Sequence, residues 1–379
     1  MENLKKIEID FNSLNQLVLD KDEEFLLVVR SNGVNFEFLV KRKVTSENLI
    51  VFGSGAYNIN KLRPPIFQRY SWINEFDENI IYYNDPTLYL SDITLGWGYG
   101  TEKIHYLEII YKIIDKLINI IKIQRKKTIF YGSSGGGFMS IILSTFLKGS
   151  TAIVNNPQVD ITKYHIGPIR KLFSQIYADR DINDIFKIKR ERLNVIDMFK
   201  KENYIPRIVY YQNIACDFDI ENQFYVFINE LRSLDEKNFY TPIDIKLYFN
   251  REENHNPLSK NQTINIIKRQ IEINNNFENI IEIKNINWKE FSKREGYSLF
   301  RYENKIPIHL LGDQYKIFCN NKQIQVLPVK KIDKAGFGEV YANNHLYISI
   351  DHKDIKNNEE FDIKDIQDYF FRNKFVIYY

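Results

Sequence analysis

Apolar positions along this 379-residue chain follow two alternating rhythms. Short β-prone runs stand at residues 25–30, 36–41, 49–52 and 80–83, the last just ahead of Asn84-Asp85-Pro86. Residues 102–124 keep a different period. Ile104, Leu107, Ile110, Ile114, Leu117 and Ile121 recur at three- and four-residue spacing, which predicts one long amphipathic helix. A strand over 128–131 follows, then a helix over 138–147, a strand over 151–154 and a mostly helical stretch to about residue 201. The rhythm repeats as a strand at 207–211, a helix at 218–234, a strand at 243–249 and a helix at 262–273. Strands alternating with helices over this length imply an α/β class with a mainly parallel sheet and helices on both faces.

After Asn274-Asn275-Asn276 the pattern changes. Short β-like runs at 306–311, 315–319, 323–329 and 346–350 lead to an aromatic-rich tail, 369–379. The expected division is a mainly parallel α/β domain over 1–278 and a small β-rich domain over 279–379. Exposed aromatics in the second could bind a polymer; packed ones would form a core or a homo-oligomer interface. No internal repeat is visible.

Composition narrows the classes. Hydrophobic residues make up 44% and charged ones 27%, the balance of an ordinary globular protein. A net charge of +3 does not point to nucleic acid. Two cysteines, Cys216 and Cys319, make neither a disulfide framework nor a metal-ligand spacing, and the six histidines form no ligand-spaced pair, so no metal is expected. Met-Glu-Asn-Leu-Lys-Lys-Ile-Glu lacks the apolar core of a signal peptide. Charges interrupt the most apolar long segment, 104–123, so no membrane span is expected. The expected location is the cytoplasm.

Chemistry concentrates at Gly132-Ser133-Ser134-Gly135-Gly136, a G-x-S-x-G match between the 128–131 strand and the following helix. That order of strand, sharp turn and helix is what a nucleophile elbow needs. Only Ser134 has glycine at both −2 and +2, so the register selects it over Ser133. A plain tight loop or a phosphate-binding turn has a similar composition. In a parallel sheet chemistry gathers beyond the carboxyl ends of the strands, and the remaining triad residue types fall there. The 207–211 strand leads to Asp217-Phe218-Asp219, and the 243–249 strand to Asn254-His255-Asn256. The chain order Ser, Asp, His is that of α/β-hydrolases. His255 is the expected base, and Asp217 the favoured acid with Asp219 as the alternative; whichever is not the acid would cap the helix. An oxyanion hole would use the Gly135 N–H and a donor from Gly53-Ser54-Gly55-Ala56, with Ser54 and Gly55 the candidates. Further along that loop, Arg63 and Arg69 could face an anionic substrate or cofactor. Arg125-Lys126-Lys127 belongs at the other end of the sheet and reads as a solvated basic turn.

Residues 129–164, from the elbow through Asn155-Asn156-Pro157-Gln158 to Tyr164, resemble bacterial capsular-polysaccharide O-acetyltransferases of the α/β-hydrolase fold, in particular those of meningococcal capsule loci. Those proteins share a Gly-Ser-Ser-x-Gly-Gly elbow and an Asn-x-Pro-Gln segment after the next strand. The resemblance extends loosely over 45–275. It departs at the acid, where the family's Asp-x-x-His is replaced by Asp217-Phe218-Asp219-Ile220, and at the extra C-terminal hundred or so residues. It implies acetyl transfer from acetyl-CoA, a donor substrate rather than a bound cofactor, to a hydroxyl of a polysaccharide or oligosaccharide. The residues by themselves leave open a carbohydrate esterase or deacetylase with the same triad, or a non-catalytic accessory protein of glycan biosynthesis or export.

Overall fold

The computed structural model describes residues 4–178, 180–234 and 243–276, together with strand segments within 285–362. The chain divides into two compact units, Met1–Lys268 and Arg269–Tyr379.

The first unit is built on a nine-stranded sheet in the order β1-β2-β3-β5-β4-β6-β7-β8-β9. The strands are β1 (Lys5–Asp10), β2 (Glu23–Ser31), β3 (Val34–Arg42), β4 (Leu49–Phe52), β5 (Asn79–Tyr83), β6 (Thr128–Ser133), β7 (Thr151–Asn155), β8 (Arg207–Asn213) and β9 (Ile243–Tyr248). Only β3 runs against the others, pairing antiparallel with both β2 and β5. Every other neighbouring pair is parallel. Eight strands in this crossing order, with the second reversed, follow β1 at the edge. The fold is that of the α/β-hydrolases.

The central strands are apolar throughout because both faces are covered. All residues of β4, β5, β6 and β7 are buried. Helix α1 (Tyr106–Ile121) buries Tyr106, Leu107, Ile110, Ile113, Ile114, Leu117 and Ile118 along one stripe, at about 1.5–3 kcal/mol for each fully covered large side chain. It ends at Lys122 in a left-handed conformation. Helix α2 (Gly135–Phe146) is buried on nearly every side, as its almost wholly apolar sequence requires. The expected helical stretch to residue 201 is broken into α3 (Ile166–Ile176), α4 (Ile182–Ile185) and α5 (Val195–Glu202). The helix expected over 218–234 is α6 (Asp217–Asp219), a π turn at Ile220–Phe224 and α7 (Tyr225–Leu231). Helix α8 (Lys260–Asn276) contains the division between the two units.

The basic turn Arg125–Lys127 differs from the expectation. Lys127 is buried and pairs with Glu47, and Arg125 reaches Asp115 at 2.9 Å. In the second unit, β11 (Gln314–Asn320) pairs antiparallel with β12 (Gln323–Val329) and β13 (Leu346–Ile350), and β10 (Asn285–Asn287) with β14 (Glu360–Asp362). The run expected at 306–311 and the aromatic tail lie outside the described residues.

Candidate active site

Strand β6 hands the chain to α2 through Ser134, whose φ of 54° and ψ of −126° are far from any relaxed conformation of a residue with a side chain. The flanking glycines make this turn possible. A Cβ on Gly132 would stand 2.1 Å from the Gly136 carbonyl oxygen, and one on Gly136 would stand 2.8 Å from that of Gly53. The turn therefore closes only where both positions lack side chains.

Ser134 Oγ lies 2.9 Å from His255 Nε2, and His255 Nδ1 lies 2.6 Å from Asp219 Oδ2. The three residues leave the carboxyl ends of β6, β9 and β8, far apart in sequence and adjacent in space. Asp219 is almost fully buried and His255 partly exposed, with side-chain exposures of 4% and 38%. The favoured acid, Asp217, is not brought to the histidine; it is the exposed first residue of α6. The reason is the length of β8. The strand continues to Asn213 instead of ending at Tyr211, which moves the inward-facing position on by two residues. Cys216 lies behind Asp219, and burial pushes its thiol up to about 11. Sγ of Cys216, a carboxylate oxygen of Asp219 and a ring nitrogen of His255 lie within 4.8 Å of one another, a set that could hold a metal ion. In this structure the carboxylate and the ring are bonded to each other instead.

The histidine loop is held by three buried asparagines. Asn156 Nδ2 donates to the carbonyls of His255 and Asn256, each at 3.1 Å. Asn213 Nδ2 donates to those of Asn250 and Asn254 at 2.7 and 2.8 Å. Asn155 Oδ1 accepts from the Leu258 N–H at 2.6 Å. Asn156 Oδ1 in turn accepts from the Asn213 N–H at 2.8 Å, tying the loops after β7, β8 and β9 together. Asn213 was invisible to spacing arguments, because its role depends on loops that meet only in the folded chain.

On the other side of β6 lies the loop after β4. As the first residue of α2, Gly135 has an N–H with no intrahelical acceptor, and among the described residues it donates to no other atom. The Ser54 N–H is likewise without an acceptor. The Gly55 N–H is taken: it donates to Gln68 Oε1 at 2.9 Å, while Gln68 Nε2 donates to the Ala56 carbonyl at 2.8 Å. Of the two loop candidates, Ser54 thus keeps a free donor and Gly55 does not. Its hydroxyl also braces the loop, donating to Ile66 O and accepting from the Gln68 N–H, each at 3.1 Å.

The two arginines part company. Arg63 is exposed and turns back on its own loop, donating to the carbonyls of Ile59 and Leu62. Arg69 reaches the elbow, where its Nη2 donates to Ser133 Oγ at 2.6 Å. Its guanidinium lies over the rings of Tyr131 and Trp72, 5.2 and 5.5 Å from the centroids. Its Nη1 is buried and without a hydrogen-bond partner among the described residues.

A chain of aromatic contacts runs from Trp97 to His165. Trp97 meets Tyr164 edge to face at 5.8 Å, Tyr164 meets Phe218 at 6.2 Å, and the exposed His165 stacks on Phe218 at 4.1 Å. Burial pushes the Tyr164 phenol up; the charge of Asp219 adds to this and the Gln158 amide opposes it.

No family model matches this chain, and no curated protein matches it. Among solved structures, a capsule O-acetyltransferase of Neisseria meningitidis serogroup A is similar at 18% identity and a TM-score of 0.48, over 66% of this chain and 94% of that one. A mutant of that enzyme in complex with CoA is similar at 19% identity and 0.47, over 68% and 99%. An S-formylglutathione hydrolase from Agrobacterium tumefaciens is similar at 13% identity and 0.46, over 68% and 96%.

Proposed function

We propose that this protein is a serine-nucleophile O-acetyltransferase that moves acetyl from acetyl-CoA to a hydroxyl of a capsular or other cell-surface polysaccharide or its precursor. The observation that carries the reading is the unbroken chain from Ser134 Oγ through the His255 ring to the buried Asp219 carboxylate. A serine hydroxyl is inert near neutral pH unless a base takes its proton, and a buried carboxylate holds that base in the productive tautomer. The choice of acetyl-CoA and a sugar acceptor follows the resemblance of the elbow and of Asn155-Asn156-Pro157-Gln158. Acetyl-CoA is a cytoplasmic metabolite, which puts the reaction in the cytoplasm.

In the first half-reaction His255 Nε2 takes the Ser134 proton as Oγ attacks the thioester carbonyl. The Gly135 and Ser54 N–H groups receive the developing oxyanion. The C–S bond then breaks, His255 returns the proton to the departing thiolate, and Ser134 is left acetylated. In the second, His255 takes the proton of a sugar hydroxyl, the sugar oxygen attacks the acetyl carbonyl, and Oγ leaves and is reprotonated. Arg69, which bonds the elbow through Nη2 and whose Nη1 has no hydrogen-bond partner among the described residues, would receive an anionic group of either substrate.

The test is thiol release from acetyl-CoA by the purified chain, with and without capsular oligosaccharides, with Ser134→Ala as control. Release that rises with one glycan and vanishes in the variant supports the transferase. Slow turnover of acetyl-CoA beside Ser134-dependent cleavage of simple acetyl esters moves the assignment to an esterase. Absence of both leaves an accessory protein on a hydrolase fold.

A further inference from the structure

Ser134 Oγ has a second partner besides the histidine. Gln158, on the loop after β7, places its side-chain Nε2 at 3.1 Å from that oxygen. Gln158 is 1% exposed, and its backbone N–H also bonds the Ser134 carbonyl at 3.1 Å. Its other amide atom, Oε1, accepts from the indole N–H of Trp97, a fully buried residue from the loop after β5. That loop is pinned in turn by Asp85, whose Oδ2 accepts from the Gly98 N–H at 2.7 Å.

An indole N–H can only donate. Gln158 must therefore turn Oε1 toward Trp97 and its NH2 toward Ser134, and an NH2 can only donate as well. Ser134 Oγ then accepts from Gln158, so its own hydrogen is directed at His255 Nε2. His255 accordingly carries its proton on Nδ1, facing Asp219. One indole thus fixes the polarity of the whole chain from Trp97 through Gln158, Ser134 and His255 to Asp219.

We propose that Gln158, oriented by Trp97, is a fourth catalytic residue, which donates to Ser134 Oγ and stabilises the negative charge that gathers there in both half-reactions. The inference rests on the serine-nucleophile part of the proposed function and on no particular donor or acceptor. Oγ carries this charge as it is deprotonated to attack, and again as it departs from the second tetrahedral intermediate, when His255 returns its proton. The role is separate from the oxyanion hole. In the order β4-β6-β7 the oxyanion loop follows β4 and Gln158 follows β7, so the two approach Ser134 from opposite sides. The amide serves the attacking and leaving oxygen, whereas the Gly135 side serves the carbonyl oxygen.

The experiment is the rate of Ser134 labelling by a fluorophosphonate in the full chain, measured from pH 5.5 to 8.5, with thermal unfolding of each variant. Gln158→Met fills the space without a donor and should label about 10- to 100-fold more slowly than wild type, the worth of one hydrogen bond to a charged group. Gln158→Glu keeps the shape but presents an acceptor, which draws the Ser134 hydrogen away from His255. It should be slower still at neutral pH, with a rate relative to wild type that rises as pH falls and the new carboxyl protonates. Trp97→Phe frees the amide to flip and should give a smaller loss. Folded variants that label within about two-fold of wild type, or a Gln158→Glu ratio flat with pH, would overturn the proposal and leave Gln158 a packing residue. If Gln158→Met fails to fold, the pH dependence of Gln158→Glu still decides. A wild-type chain that does not label would instead defeat the serine-nucleophile reading itself.

Discussion

Replacing Asp219 by asparagine tests the proposed triad most directly, because a second aspartate two residues away serves as an internal control. The Asp219 carboxylate is 4% exposed and 2.6 Å from His255 Nδ1, so its charge acts on the imidazolium with little screening by water. Asparagine has the same shape and no charge. It can also present its NH2 to the ring and so favour the wrong tautomer. In serine triads that substitution costs about 10⁴ in kcat. Here we expect a fall of about 10³–10⁴, or roughly 4–5.5 kcal/mol of lost transition-state stabilisation at about 1.36 kcal/mol per decade. Asp217→Asn removes an exposed charge at the first residue of α6 and should leave the rate within about two-fold. The assay is hydrolysis of a simple acetyl ester together with fluorophosphonate labelling, both independent of the acceptor sugar, and melting temperatures check the fold. A large loss with Asp217→Asn, or a folded Asp219→Asn protein within ten-fold of wild type, would refute the assignment.

Two further outcomes follow from buried groups. Asn156→Ala removes both bonds from that side chain to the histidine loop, so kcat should fall about 10- to 100-fold, in keeping with the sensitivity of rate to small misplacements. Ester kinetics on the variant check this, and an unchanged kcat would show that Asn213 and Asn155 suffice. His105 is buried, its Nε2 has no hydrogen-bond partner among the described residues, and burial holds its pKa well below the usual histidine value. The unfolded chain therefore binds a proton at this site that the folded chain refuses. The stability His105 contributes is complete above its unfolded pKa of about 6.5 and is lost as pH falls, by at most about 1.4 kcal/mol per pH unit. Denaturant unfolding between pH 7 and 5.5 should show a shallower pH dependence in His105→Gln than in wild type, and equal slopes would refute it.

Much of the sheet was legible because its central strands are buried on both faces and appear as unbroken apolar runs. Strands β4, β7 and β9 fall within a residue of their expected limits. The edge strand β1 escaped: none of its residues is buried, and its Lys-Lys-Ile-Glu-Ile-Asp alternation is short. Ser134 stood out because the elbow demands glycines at fixed offsets, a purely local requirement. The acid did not, since choosing between Asp217 and Asp219 needs the last residue of β8. Apolarity ends at Tyr211, but pairing with β9 carries the strand on through Gln212 and Asn213. Trp97 lies 61 residues from Gln158, and no spacing rule links them.

Backbone strain follows the same geography. Ser134, Asn156, Trp97, Arg69 and Asn254 all hold positive φ, which costs a non-glycine residue of order 1–3 kcal/mol. One is the proposed nucleophile, and one precedes His255. The others support the histidine loop, orient Gln158 or reach the elbow. Lys122 and Asn203 share the conformation at helix C-termini, where it closes the helix, Asn32 holds it between two paired strands and Lys189 at the start of a short helical turn. The strain around Ser134 persists because buried bonds over-determine it: Asn156 to two carbonyls, Gln158 to the serine carbonyl, Asp85 to the Trp97 loop. A site held this way is organised before substrate arrives. Loosening any one anchor should therefore lower kcat before it lowers the melting temperature.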